Sequence, residues 1–169
     1  SVLVLTSGGY IKRTNPDEFK KQKRGGVGVV DVDVKEEDFI THLVSARMHS
    51  DLLFFTDKGK AYQIKMYDIP EGKRATRGKS IMNFLSLSAE EKVTSILPMP
   101  KDVKKGLDLS LMLITKYGTG KRVALESFKD VRRSGIIAIG LEDKDELISA
   151  SFVAEKDTMI LTASDAQSI

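Results

Sequence analysis

A landmark recurs along this chain at intervals near fifty residues, and it restricts the fold more than any other feature. An apolar run ends in threonine, two residues follow, and a turn residue closes the motif. The copies are Leu3-Val-Leu-Thr6-Ser-Gly-Gly9, Leu53-Phe-Phe-Thr56-Asp-Lys-Gly59, Met112-Leu-Ile-Thr115-Lys-Tyr-Gly118 and Met159-Ile-Leu-Thr162-Ala-Ser-Asp165. Their threonines stand 50, 59 and 47 residues apart. A second landmark keeps the same phase: Arg24-Gly25, Arg77-Gly78 and Arg133-Ser134-Gly135, each opening an apolar segment at 27–34, 81–87 and 136–141. An acidic or polar turn follows, then a last apolar run at 39–44, 93–97 and 147–153.

The runs are short, rich in Val, Ile, Leu and Phe, and bounded by Gly, Asp and Lys, so they read as strands. Alternation is clean in Val30-Asp31-Val32-Asp33-Val34, with one apolar and one charged face. No long 3.6-residue stripe competes, and the best helical candidate is one turn over Ser88-Ala89-Glu90-Glu91-Lys92. Strand, basic turn, strand, acidic turn, strand is the plan of an all-β, propeller-like array. Approximate blades span 3–51, 52–108 and 109–158, with the start of a fourth at 159–169. A chain that stops within a repeat, and opens on Ser1 in an apolar run without a basic leader, is expected to be part of a larger ring rather than a secreted precursor.

With 169 residues, 41% hydrophobic and 30% charged, the chain has enough apolar residues for a core and too many for disorder. No apolar stretch approaches the roughly 18 residues of a membrane helix, so no membrane partner is expected. The absence of cysteine removes disulfides and thiolate metal sites and fits a reducing, cytoplasmic setting.

The net charge of +3 conceals a segregation that follows the repeat. Segments 12–24, 58–79 and 116–133 carry net charges of +4, +5 and +4, which leaves −10 for the rest. In an array, equivalent positions lie on equivalent surfaces, so a basic turn in each unit becomes a stripe. Such a stripe matches a line of phosphates, and counterion release from double-stranded DNA drives the association. Tyr10, Tyr62, Tyr67 and Tyr117 interleave too sparsely for a single-strand stacking platform. The candidate DNA-binding residues are Lys12, Arg13, Lys58, Lys60, Lys73, Arg74, Arg77, Lys79, Lys116, Lys121, Arg122, Arg132 and Arg133.

The most specific local motif is Gln22-Lys23-Arg24-Gly25-Gly26-Val27-Gly28. Its glycines allow close backbone approach, and the Lys-Arg pair supplies charge and a planar phosphate donor. It lacks the Gly-Lys-Ser/Thr ending of a nucleotide-binding P-loop, and no helical pattern follows. In this context it resembles the GyrA box, the glutamine-basic-basic-Gly-Gly-x-Gly signature of the DNA gyrase A C-terminal domain family. Gly9-Tyr10-Ile11-Lys12-Arg13 resembles that family's Gly-x-x-Lys-Arg turn, echoed at Gly59-Lys60-Ala61-Tyr62 and Gly120-Lys121-Arg122-Val123. Lys23 stands where arginine is usual, and Val27 where a basic residue is common.

The resemblance implies a β-pinwheel of four-stranded antiparallel blades whose neighbours exchange a strand, here as a partial ring of about three blades. It implies DNA wrapped around a basic rim, with Gln22, Lys23, Arg24, Gly25, Gly26 and Gly28 adding the box to the DNA-binding set. The implied partners are the remainder of the gyrase A subunit, together with the gyrase B subunit, in the bacterial cytoplasm beside the nucleoid. The wrap would enable ATP-dependent negative supercoiling. No cofactor is implied for this domain itself; ATP and Mg belong to the holoenzyme.

Rival readings fit less well. The C-terminal domain of the related topoisomerase IV protein has fewer blades and lacks an intact box. A protein-interaction propeller usually carries periodic aromatic or Trp-Asp signatures, and this chain has no tryptophan. Catalysis by the domain itself is not expected: His42 and His49 are the only histidines and have no carboxylate pattern around them. Asp31, Asp33, Glu36, Glu37 and Asp38 could bind a cation, but a charged strand face and a solvated turn explain them equally well.

Overall fold

The computed structural model describes residues 1–17, 39–72, 76–100, 109–128 and 130–154. Its strands are β1 (Val2–Thr6), β2 (Tyr10–Thr14), β3 (Ile40–Ser45), β4 (Asp51–Thr56), β5 (Lys60–Lys65), β6 (Lys79–Ser80), β7 (Val93–Pro98), β8 (Leu109–Thr115), β9 (Gly120–Ala124), β10 (Ile136–Ile137) and β11 (Leu147–Ala154). Short 3-10 turns lie at Met66–Asp68, Ile81–Asn83 and Leu125–Phe128. The fold is all-β.

The strands form three sheets, ordered β3-β1-β2-β6, β10-β5-β4-β7 and β11-β8-β9, and every strand pairing is antiparallel. Each repeat supplies three strands of its own sheet. The second repeat also gives β6 to the first sheet, and the third gives β10 to the second. Lys79 thereby pairs with Ile11, and Ile136 with Ala61. The crossing is latched by backbone: Ile81 N–H donates to the Gly9 carbonyl at 2.8 Å, and Ala138 N–H to the Gly59 carbonyl at 2.8 Å. On the other side of each sheet, β7 packs against both β3 and β11.

The middle sheet explains why Leu52-Leu53-Phe54-Phe55 is continuously apolar. It is covered on both faces, as such runs require. Leu52 and Phe54 join a core with Leu3, Leu5, Ile11 and Ile81 of the first seam. Leu53 and Phe55 join another with Leu111, Leu113, Phe128 and Ile139 of the second. Phe55 meets the Phe128 ring edge-on, with centroids 5.6 Å apart. All four β4 residues are fully buried, at about 1.5–3 kcal/mol of apolar transfer each.

The runs expected at 39–44, 93–97 and 147–153 form β3, β7 and β11. Those expected at 81–87 and 136–141 do not form full strands. Only two residues of each exchanged segment pair, after which the first bends into the turn at Ile81–Asn83. The reason is geometric, because a crossing chain can follow the neighbouring sheet only until it must return to its own. Ser88–Lys92 forms a turn and no helix. The segments at 27–34 and 159–165 lie outside the described residues.

Gly78 shows how tightly the crossing is packed. Its φ is +96°, and a Cβ there would sit 2.5 Å from the Ile11 carbonyl oxygen. Gly118 adopts a similar φ of +90° with nothing within 4 Å of the added atom. Gly118→Ala is therefore expected to lose only the left-handed backbone penalty, about 1–2 kcal/mol. Gly78→Ala must add a backbone clash and be clearly worse. Chemical denaturation of the two variants checks the order; equal losses would mean that the seam can yield.

Candidate nucleic-acid interface

The recurring threonine builds the turn on which the basic residues stand. The carbonyls of Thr6, Thr56 and Thr115 accept from the N–H of Gly9, Gly59 and Gly118, each at 3.0 Å. The three side chains are buried. Thr6 Oγ1 accepts from Tyr10 N–H at 3.3 Å, and Thr115 Oγ1 from Thr119 N–H at 3.1 Å. Thr56 instead donates to Glu91 at 2.6 Å.

Glu91 is a buried carboxylate that also accepts the Tyr62 hydroxyl at 2.7 Å and Ser88 N–H at 3.0 Å. Burial pushes its pKa up, but the Thr56, Ser88 and Tyr62 bonds and the Lys60 charge outweigh that and hold it below its ordinary value. Burial raises the Tyr62 phenol, and its bond to Glu91 adds to the rise. In the third sheet Asp145 plays a similar part, accepting the N–H of Tyr117 at 3.0 Å and of Glu146 at 2.8 Å. Desolvation opposes its ionisation, yet these bonds and one from Thr115 lower its pKa. The acidic turns thus clamp the basic ones in two sheets.

Strand exchange decides which basic residues meet. Because β6 lies on β2, Arg77 and Lys79 of the second repeat stand beside Lys12 and Arg13 of the first. Because β10 lies on β5, Arg132 and Arg133 of the third repeat approach the strand that Lys60 opens: the Arg132 carbonyl accepts Gln63 N–H at 3.3 Å, and Ile137 pairs with Lys60. Lys58, Lys60, Lys79, Lys116, Lys121, Arg122, Arg132 and Arg133 are exposed. Lys116 lies 3.6 Å from Glu146, an exposed pair of little energetic consequence. Lys121 and Arg122 stand on β9, at the edge of the third sheet.

Lys12 departs from the expected exposed turn. Only 8% of it is accessible, and its ammonium donates to the Thr76 carbonyl at 2.8 Å. It alternates inward on β2, and its charge is satisfied by loop backbone. Arg13 is half-buried and donates from Nε to the Ile69 carbonyl at 3.1 Å. Arg77 is half-buried over the Tyr10 ring, 4.8 Å from its centroid, a cation–π geometry. Gln22, Lys23, Arg24, Gly25, Gly26, Gly28, Lys73 and Arg74 lie outside the described residues, as do the acids at 31–38.

Sequence reasoning read Glu91 only as part of a helical turn and Tyr10 as a sparse aromatic. Pairing each turn threonine with the acid before the next inner strand would have found Glu91 and Asp145. The two histidines stay apart. His42 hydrogen-bonds Thr41 and the Thr94 carbonyl, and His49 meets Tyr67 edge-on. Among the described residues, no group of three His, Cys, Asp or Glu could hold a metal.

The family model described as the DNA gyrase C-terminal domain, β-propeller, matches residues 1–47, 50–98 and 109–154, one stretch for each sheet's own strands. The chain belongs to this family. It is 38% identical over 160 residues to the DNA gyrase A protein of Clostridium acetobutylicum, covering 95% of this chain and 19% of that protein. It is 43% identical over 149 residues to the gyrase A protein of Campylobacter fetus, covering 88% of this chain and 17% of that one. The chain therefore spans about a fifth of these relatives. A solved DNA gyrase A C-terminal domain superposes with a TM-score of 0.68 at 30% identity, over 91% of this chain and 48% of that one. A topoisomerase IV C-terminal domain gives 0.71 at 22% identity, over 90% and 45%, and shares the fold.

His42 supplies a pH test of the seam between the first two sheets, since it stands on β3 and its Nε2 meets the Thr94 carbonyl of β7. Burial lowers its pKa below 6.5, against an opposing contribution from Thr94. The unfolded chain then binds the proton more readily, so stability falls as pH drops below about 6.5, until the folded pKa is passed. Glu91, lowered from 4.5, adds its loss only in a more acid window. Unfolding midpoints between pH 7.5 and 5 should decline, and His42→Gln should flatten that decline. An unchanged slope would remove His42 from this role.

Proposed function

We propose that this chain binds and bends double-stranded DNA along the seams between its sheets, as the wrapping part of the gyrase A protein. The observation that carries the reading is the strand exchange, which gathers basic residues of consecutive repeats at successive seams. A single basic turn would be an ordinary solvated loop. Repeated basic seams match the regular phosphates of a duplex, whose condensed counterions are released on binding.

Bending a stiff duplex over 20–30 base pairs costs on the order of 1–6 kcal/mol, and contacts along the curve must offset it. Exposed Lys79, Lys60, Arg132 and Arg133 act as those contacts, and the sequence motif at Gln22–Gly28 adds further phosphate donors. Backbone contacts of this kind carry little sequence information. In the whole enzyme the wrap presents DNA to the cleaving and ATP-hydrolysing parts, which lie elsewhere, and so directs the reaction toward negative supercoiling. The rest of the gyrase A protein, together with gyrase B, supplies the protein partners in the cytoplasm of a bacterium. The motif at 22–28 and the 30% identity to a gyrase domain favour gyrase over topoisomerase IV.

Salt titration of duplex binding tests the phosphate reading. With roughly six phosphates neutralised, log affinity should fall against log salt with a slope near −5, nearly alike for unrelated sequences. Neutralising Arg132 and Arg133 together should reduce the slope by about 2. A slope near zero, or strong preference for one sequence, would contradict it.

A further inference from the structure

We infer that Arg13 is a positioning residue: it straps the basic loop of the second repeat onto the first sheet and makes no phosphate contact of its own. This rests on the DNA-binding reading above and assigns one of its cations a different task.

The segment 69–77 carries Lys73, Arg74 and Arg77 in the sequence, and the structure describes it at 69–72 and 76–77. It is tied to β2 along the length of Arg13. Arg13 N–H donates to the Pro70 carbonyl at 2.9 Å, Gly72 N–H donates to the Arg13 carbonyl at 2.9 Å, and Arg13 Nε donates to the Ile69 carbonyl at 3.1 Å. An isolated parallel bridge joins Arg13 to Glu71. Lys12 ties the far end of the loop through Thr76, and the fit is close, since a Cβ on Gly72 would lie 2.8 Å from the Lys12 side chain.

The second seam repeats the arrangement without the charge. Counted from the turn glycine, Gln63 on β5 occupies the position of Arg13 on β2. Each pairs with the residue three before the turn threonine, Leu53 and Leu3. Gln63 N–H donates to the Arg132 carbonyl at 3.3 Å, and its Nε2 donates to the Val131 carbonyl at 3.0 Å. That loop leads into Arg132 and Arg133. Both seams thus place at this register a side chain that donates to a carbonyl of the incoming loop, once a guanidinium and once a neutral amide. The shared property is the donor. A residue selected for phosphate contact would need its charge, and Gln63 has none.

The test separates donor from charge in the intact protein. Arg13→Gln keeps a donor of the kind the second seam uses and removes the charge; Arg13→Ala removes both. Duplex affinity against salt is measured for each, together with hydrogen exchange of the Gly72 amide. The expected result is a wild-type slope and a protected Gly72 in Arg13→Gln. In Arg13→Ala the slope should be shallower by about 1, as Arg77 leaves its place, and Gly72 should exchange faster. Arg13→Met replaces the alanine variant if that one does not fold. Equal losses of about one unit in both variants would make Arg13 a phosphate contact and overturn the inference. So would no change in either, or Gly72 protection that ignores the substitutions. If the wild type showed no salt-dependent duplex binding, the DNA reading would fall, while Gly72 exchange would still decide the strap.

Discussion

The backbone latch at each sheet junction is the constraint on which the rest of the molecule depends. A repeat that kept all its strands would make an independent sheet, free to drift against its neighbour. Here Ile81 and Ala138 donate their amides to Gly9 and Gly59, so the turn of one repeat is completed by the next. These bonds are made by main chain and leave side chains available for other work. They also fix register: once Lys79 is opposite Ile11, the residues on either side of it have no choice of neighbour.

From that register the chemistry follows. Each exchanged strand arrives through an arginine-bearing segment and lands beside the strand that leaves the threonine turn. Basic residues far apart in sequence therefore converge, while Glu91 and Asp145 hold two of the turns through hydrogen bonds. Glu91 illustrates the economy of the arrangement. Thr56, Tyr62 and Ser88 satisfy it, so its charge stabilises the turn without facing the surface on which the cations stand. Lys12 is the converse, a cation drawn inward to satisfy a loop carbonyl. Formal charge in a segment is thus a poor guide to charge on a surface unless strand alternation is followed residue by residue.

Much of this was legible in the sequence because the repeat is a period, and periods survive the loss of local detail. The threonine turns, the inner runs that became β3, β7 and β11, and the family could be read from spacing and motif alone. The exchanged strands were misjudged in length, because 81–87 and 136–141 are apolar for a different reason. They supply Ile81, Leu85, Ala138 and Ile139 to the cores between sheets after their brief pairing ends. Periodicity reports burial and cannot say whether burial comes from a ladder or from a turn tucked beneath one. The inward Lys12 and the strap at Arg13 were illegible for a further reason: their partners are backbone carbonyls, which leave no trace in residue identity.

The central claim is that seams, rather than total charge, direct DNA along this fold. Ligation of a nicked circle in the presence of the intact protein, followed by removal of protein, measures it as a change in linking number. Neutralising Lys79, Arg132 and Arg133 at the seams should reduce the positive shift strongly. Neutralising Arg47 and Lys144, which are also exposed but stand outside the exchanged strands, should leave it near the wild-type value. An equal reduction per charge removed in the two variants would contradict the account and return the binding to undirected charge.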